Sequence, residues 1–174
     1  MSKRTEIILK ILNVFAWFAF IGLMVQAGAL LFSYCYTLIK PEVAKDFYEH
    51  QNLYPLKQFS LFHYTTSIVL RAGIPILESY TAYLIIKVLS KIKLSSPFTM
   101  EVAGILEKIS YFILATWIVA VVYNSHASWL IKEIPGLALS KVSGDFIFIA
   151  GVVFVFAQIF KKGVEIQTEN DLTV

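Results

Sequence analysis

Charge is scarce in this chain. Only 16% of its 174 residues are Asp, Glu, Lys or Arg, against 57% hydrophobic, where soluble domains carry nearer a quarter charged. That shortage argues against a soluble globular domain, and a mean hydropathy of +0.70 points the same way. The charges nearly cancel, 15 basic against 12 acidic for a net +3, too small an excess to indicate direct nucleic-acid binding. Cysteine occurs once, so an internal disulfide is excluded, and Cys35, set in an apolar run, reads as a packing residue. His50, His63 and His126 have no ligand-like local spacing, so no metal is expected. A glycine-rich phosphate loop, a nucleophile elbow and a metalloprotease helix signature are all missing. No catalytic residue and no cofactor is therefore expected, and the protein reads as a non-enzyme. Internal repeats and the paired interrupted spans of an inverted-repeat transporter are missing too.

What the chain does have is long apolar runs. At about 20 residues per spanning helix, its length fits four spans and leaves no room for a separate soluble domain. Ile11–Ile39 contains no charge at all. Its basic start and Ala27-Gly28-Ala29 resemble a signal peptide, but the apolar character runs well past any cleavage point. The second span covers about Tyr64–Leu89 and the third about Ile109–Ile131. The fourth runs from Gly144 to Lys161 and leaves a polar tail, 162–174. The expected fold is all-α: one integral membrane four-helix bundle made by the whole chain.

The connections carry their own signals. Lys40–His63 is the longest polar one. Pro41 and Glu42 suit the first turn of a short amphipathic outer helix, with Val43, Ala44, Phe47 and Tyr48 on one face. Tyr34, Tyr36, Tyr54, Phe59, Phe62 and Tyr64 look like an interfacial aromatic belt. Ahead of the third span, Thr99 can cap a helix beginning at Met100. Pro135-Gly136 marks a turn before the fourth.

Lysine and arginine near the span ends set orientation. Lys3, Arg4, Lys10, Lys87, Lys91, Lys93, Lys108, Lys161 and Lys162 fall on one side. Lys40, Lys45, Lys57, Lys132 and Lys141 fall on the other. Both termini and the Lys91–Lys108 loop are accordingly expected in the cytoplasm, with the chain in the inner membrane.

Arg71 and Glu78 lie inside the second span, seven residues apart, hence on one face and about 10 Å apart along the axis. Intramembrane charges are costly and are functional candidates by default. Pro75 between them frees a carbonyl and can bend the helix. Gln26 of the first span lies near the depth of Glu78, and Asn124 of the third near that of Arg71. These four residues make a candidate polar centre, read either as a network fixing helix register or as a protonatable or ligand-binding site.

The tail divides two ways. Lys161 and Lys162 are placed to pair with Glu165, which would carry helix past the bilayer, whereas Gly163 argues for a break. Ser96-Pro97-Phe98-Thr99 resembles the Asn-Pro-Phe-Thr motif of the bacterial domain-of-unknown-function family 2975, with Ser96 in place of Asn. Phe160-Lys161-Lys162-Gly163-Val164-Glu165-Ile166-Gln167, with Glu169-Asn170-Asp171-Leu172-Thr173-Val174, resembles that family's C-terminal signature. The resemblance implies a small protein of four membrane spans, of a family often encoded beside short helix-turn-helix regulators. By analogy, a small cytoplasmic DNA-binding regulator is the expected partner besides the lipid bilayer. The loop motif and the residues Lys161, Lys162, Gly163, Glu165, Glu169, Asn170, Asp171 and Leu172 would be its contact. The alternative is a small transporter working through Glu78, which would need a homo-oligomer because four spans make a thin pathway.

Overall fold

A computed structural model describes residues 3–45, 51–92, 99–143 and 146–172. Its helices are α1 (Lys3–Ile39), α2 (Tyr54–Phe59), α3 (Leu61–Lys91), α4 (Met100–Glu133) and α5 (Phe146–Leu172), with a 3₁₀ turn at Pro41–Lys45. There is no strand among the described residues, so the all-α expectation holds. Four of the helices are long and apolar enough to cross a membrane. At 37 residues, α1 is about 55 Å long against a hydrocarbon layer of roughly 30 Å, so its ends must emerge from lipid.

The helix ends follow local chemistry. α1 stops one residue before Lys40-Pro41, since proline disfavours α geometry in the residue ahead of it. Pro41 then opens the 3₁₀ turn, while Phe47 and Tyr48 of the expected amphipathic face lie outside the described residues. α2 was not anticipated; the signal that could have found it is Pro55 in its first turn, where a missing N–H costs nothing. Ser60 ends α2 in extended geometry, and its hydroxyl accepts from the His63 N–H at 3.4 Å, at the start of α3. Thr99 caps α4 as expected, its Oγ1 accepting from the Val102 N–H at 3.2 Å. Beyond α4, Gly136 takes a positive φ of 79°, a conformation that needs no adjustment only when Cβ is missing.

Helix α5 runs unbroken through Gly163 to Leu172, where the glycine had suggested a stop. An interior glycine costs about 1 kcal/mol. That cost falls on a helix whose nucleation is already complete in the apolar turns before it. Lys162 pairs with Glu165 at 2.8 Å across the same point.

Two compact units divide the chain. The first comprises Met1–Ile21, Leu77–Ala115 and Asp145–Val174; the second comprises Gly22–Ile76 and Thr116–Gly144. In the first, Leu84 and Val88 of α3 are buried against Val102, Ile105 and Ile109 of α4, with Val153 and Phe160 of α5 packed alongside. The second has its own core. Leu30, Leu53, Leu56, Tyr64, Ile68, Ala72, Leu130, Ile134 and Leu137 meet there.

In that second core Tyr64 is fully buried, not part of an aromatic belt. Its hydroxyl hydrogen-bonds the buried Thr37 Oγ1 at 2.5 Å. Lys57 of α2 donates to the Thr37 carbonyl, in the last turn of α1, and sits 5.7 Å from the Tyr64 ring centre. A cation suits a helix C-terminus, and desolvation there holds the Lys57 ammonium below the usual lysine range. Outside the cores, large apolar side chains face outward on every long helix: Phe18 at 70%, Val69 at 56%, Ile118 at 49% and Phe148 at 77% exposed. Such surface is stable only in lipid. Cys35 is also exposed on α1, not packed inside.

Replacing Thr99 with Ala should remove the α4 cap and cost about 1 kcal/mol. Thermal unfolding in detergent should show this as a lowered midpoint, restored by Thr99→Ser. An unchanged midpoint would mean the cap contributes nothing.

Candidate functional site

The polar groups of the second unit converge on residues 139–142, the stretch after α4. Asn124 points its side-chain amide at Val142: Nδ2 donates to the Val142 carbonyl at 2.8 Å, and Oδ1 accepts from the Val142 N–H at 2.9 Å. One residue earlier on α4, the Tyr123 hydroxyl donates to the Ser140 carbonyl at 3.2 Å. Arg71 of α3 reaches both, donating to the Tyr123 hydroxyl at 3.2 Å and to the Ser140 carbonyl at 3.3 Å. From the other connection, Gln51 donates to Ser140 Oγ at 2.7 Å, and its Oε1 accepts from the Ser140 N–H at 3.4 Å. Two loops and two helices are thus tied through one short segment of backbone. A cavity of about 10 Å³, lined by Arg71, Tyr123, Gln51 and Ser67 among apolar residues, has room for roughly one water.

Arg71 and Asn124, which the sequence put at one depth, both serve this latch. Gln26 belongs to the same unit but is exposed on α1. Glu78 belongs to the first unit, half-buried on α3, one turn beyond Pro75. Gln51, Tyr123 and Ser140 were not singled out from sequence. Tyr123, one residue before Asn124, bonds Ser140 two residues ahead of Asn124's partner Val142, and its adjacency to Asn124 is the signal that could have suggested it.

His63 and His126, far apart in the chain, also meet in the second unit. His63 Nδ1 lies 3.2 Å from His126 Nε2, and the other nitrogen of His126 lies 3.4 Å from Ser67 Oγ. Trp129 stacks nearly parallel to His126, ring centres 6.2 Å apart. No group of three or more potential metal ligands gathers among the described residues.

In the first unit α5 is anchored to α4 at Glu107. Its carboxylate accepts from Lys161 Nζ at 2.9 Å, from Gln158 Nε2 at 3.5 Å and from the Tyr111 hydroxyl at 3.4 Å. Lys161 therefore points at α4, while Lys162 alone takes the expected pairing with Glu165. Lys91 pairs with Glu101 across the connection that carries the loop motif. Of that motif, Ser96, Pro97 and Phe98 lie outside the described residues. Glu165 and Glu169 are exposed, and the backbone of Asn170, Asp171 and Leu172 continues the helix.

Four apolar helices with outward-facing hydrophobic side chains, joined by polar connections, define an all-helical, multi-pass membrane protein. Residues 68–174 match the family described as "Protein of unknown function (DUF2975)", well over half the chain, and the chain belongs to that family. No curated protein and no solved structure matches it.

Replacing Asn124 with Leu removes both bonds to Val142 and leaves that carbonyl and N–H without partners, at a cost of about 1–3 kcal/mol. Hydrogen exchange at the amides of residues 139–143 should accelerate while the amides of Leu84–Val88 stay protected. Unchanged exchange would show that the latch does not hold the loop.

Proposed function

We propose that this is a non-enzymatic regulatory protein of the inner membrane, whose cytoplasmic face holds or releases a small DNA-binding regulator. In this reading the second unit, with its Arg71–Asn124 latch, is the outer, signal-receiving part. The first unit, which contains both termini and the 92–99 connection, is the cytoplasmic part. The lysine and arginine count supports this assignment.

The observation that carries the reading is the continuity of α5. A helix that needs lipid over 146–160 goes on for three further turns with exposed polar side chains at Glu165, Gln167, Thr168 and Glu169. An isolated helix of that length is marginal in water, so its persistence favours a segment that presents a defined surface. The Lys161–Glu107 pair joins its base to α4, directly after the loop motif. A shift of the spans would therefore move loop and tail together, the minimum that a membrane switch requires.

Removing 165–174 should leave membrane insertion intact and abolish co-purification of the regulator from native membranes. If the full-length chain retains no DNA-binding partner, the proposal fails. If the truncated chain retains it as well as the full one, the tail is not the contact.

A further inference from the structure

His63 and His126 of the second unit are not used by the latch, and their geometry sets a limit on how many protons they can hold. A neutral imidazole has one N–H and one bare nitrogen, so a pair can face each other with a single proton between them; an imidazolium has donors on both nitrogens and nothing to accept with. At 3.2 Å, His63 Nδ1 and His126 Nε2 have a hydrogen-bonding separation. That contact tolerates two neutral rings or one charged ring. With both rings charged, two N–H groups would point at each other across the same gap, with two positive charges added.

We propose that His63 and His126 form a proton-operated clasp between α3 and α4, closed while at most one of them is charged and opened when the second proton arrives. The proposal rests on reading the second unit as the outer, signal-receiving part and names its signal: protons of the outside medium.

The surroundings are suited to this. Among the described residues no carboxylate contacts either ring, so nothing nearby neutralises a second charge. The charged groups on the adjoining elements are directed elsewhere or away: Lys57 of α2 at the Thr37 carbonyl, Arg71 of α3 at Tyr123 and Ser140, and Lys132 and Glu133 exposed at the end of α4. Phe59, Phe62 and Trp129 pack around His63, with ring centres 6.0, 5.4 and 5.0 Å away, while both histidines stay part-exposed and so within reach of protons from outside.

The clasp also has a route to the latch. Ser67 is buried and hydrogen-bonds the free nitrogen of His126, and it lines the small cavity on whose other walls lie Arg71, Tyr123 and Gln51. Opening the clasp removes a bonding partner from Ser67 and so alters the polar wall against which the latch is built.

The test is a pH titration of the full chain in detergent from pH 8 to 4.5, with histidine labelled with nitrogen-15 and His50→Gln added to simplify the spectrum. Two interacting rings should take up their protons in two steps separated by at least about one pH unit. In a Trp17→Phe/Trp117→Phe background, emission from Trp129 should change at the second step. In His63→Gln, where an amide oxygen can still accept from a charged His126, a single step should remain and the contact should survive acid. If the parent shows one unsplit step for both rings, or if ring signals do not respond to pH, the clasp does not exist. Should His63→Gln fail to fold, the parent titration alone decides. Neither measurement involves a cytoplasmic partner. Failure to capture a regulator therefore leaves the clasp standing, and an unsplit titration leaves partner capture untouched.

Discussion

The amide of Asn124 meets both backbone polar groups of Val142, and much of the second unit follows from that arrangement. A chain leaving one spanning helix and preparing to enter the next must cross the edge of the bilayer as irregular backbone, where each unsatisfied N–H or C=O costs several kcal/mol. Here the side chains of α3 and α4 take the place of a neighbouring strand. Asn124 reproduces a two-bond backbone pairing with Val142, while Tyr123 and Arg71 satisfy the carbonyl of Ser140. No buried side-chain nitrogen or oxygen among the described residues lacks a partner, so the polar groups in this apolar surrounding are fully engaged. Arg71 acquires a structural reason to be in the span without any reaction being invoked. Its Nη1 donates to two acceptors at once, the Tyr123 hydroxyl and the Ser140 carbonyl.

The parts of the fold that could be read from sequence were those governed by one-dimensional rules. Uncharged runs give spans because lipid excludes charge. Thr99 gives a cap because its hydroxyl is the right distance from the third amide of the next helix, and Pro135-Gly136 gives a turn because only glycine takes that φ without strain. What escaped was set by pairing across the chain. At Gly163 the choice between a break and a continued helix stayed open, because the glycine and the Lys–Glu spacing point opposite ways and the apolar turns behind them decide it. Tyr64 looked interfacial because aromatic residues usually are, whereas a partner hydroxyl on Thr37 lets it be buried. The site divides the same way. Arg71 and Asn124 could be picked out because polar residues stand out in an apolar stretch. Ser140 and Gln51, in polar connections, carry no such contrast, and the meeting of His63 with His126 depends on how α3 and α4 are aligned.

Glu107 shows how the first unit solves a related problem by different means. A carboxylate about two turns into α4 would be costly near lipid, but three donors from two helices converge on it, one of them the cationic Lys161. An ion pair at such an edge contributes modestly to stability. Its larger effect is geometric: it fixes the rotation of α5 relative to the start of α4, and with it the direction in which the tail leaves the membrane. Lys161 and Lys162, adjacent in sequence, point roughly 100° apart around the helix. One is thereby committed to the bundle and the other to the tail.

That division of labour bears on what kind of device the protein can be. A switch needs a segment that is rigid enough to transmit a displacement and an input that has two arrangements of similar energy. Continuous helix through Gly163 supplies the first, since a flexible linker there would dissipate any movement of the spans before it reached Glu165. The second calls for contacts that can be lost singly without unfolding the unit, and in the second unit the polar contacts stand beside an apolar core that includes Leu30, Leu56, Ile68 and Leu130. In the regulatory reading proposed above, those polar contacts are the ones that would change state while the apolar core keeps the spans folded.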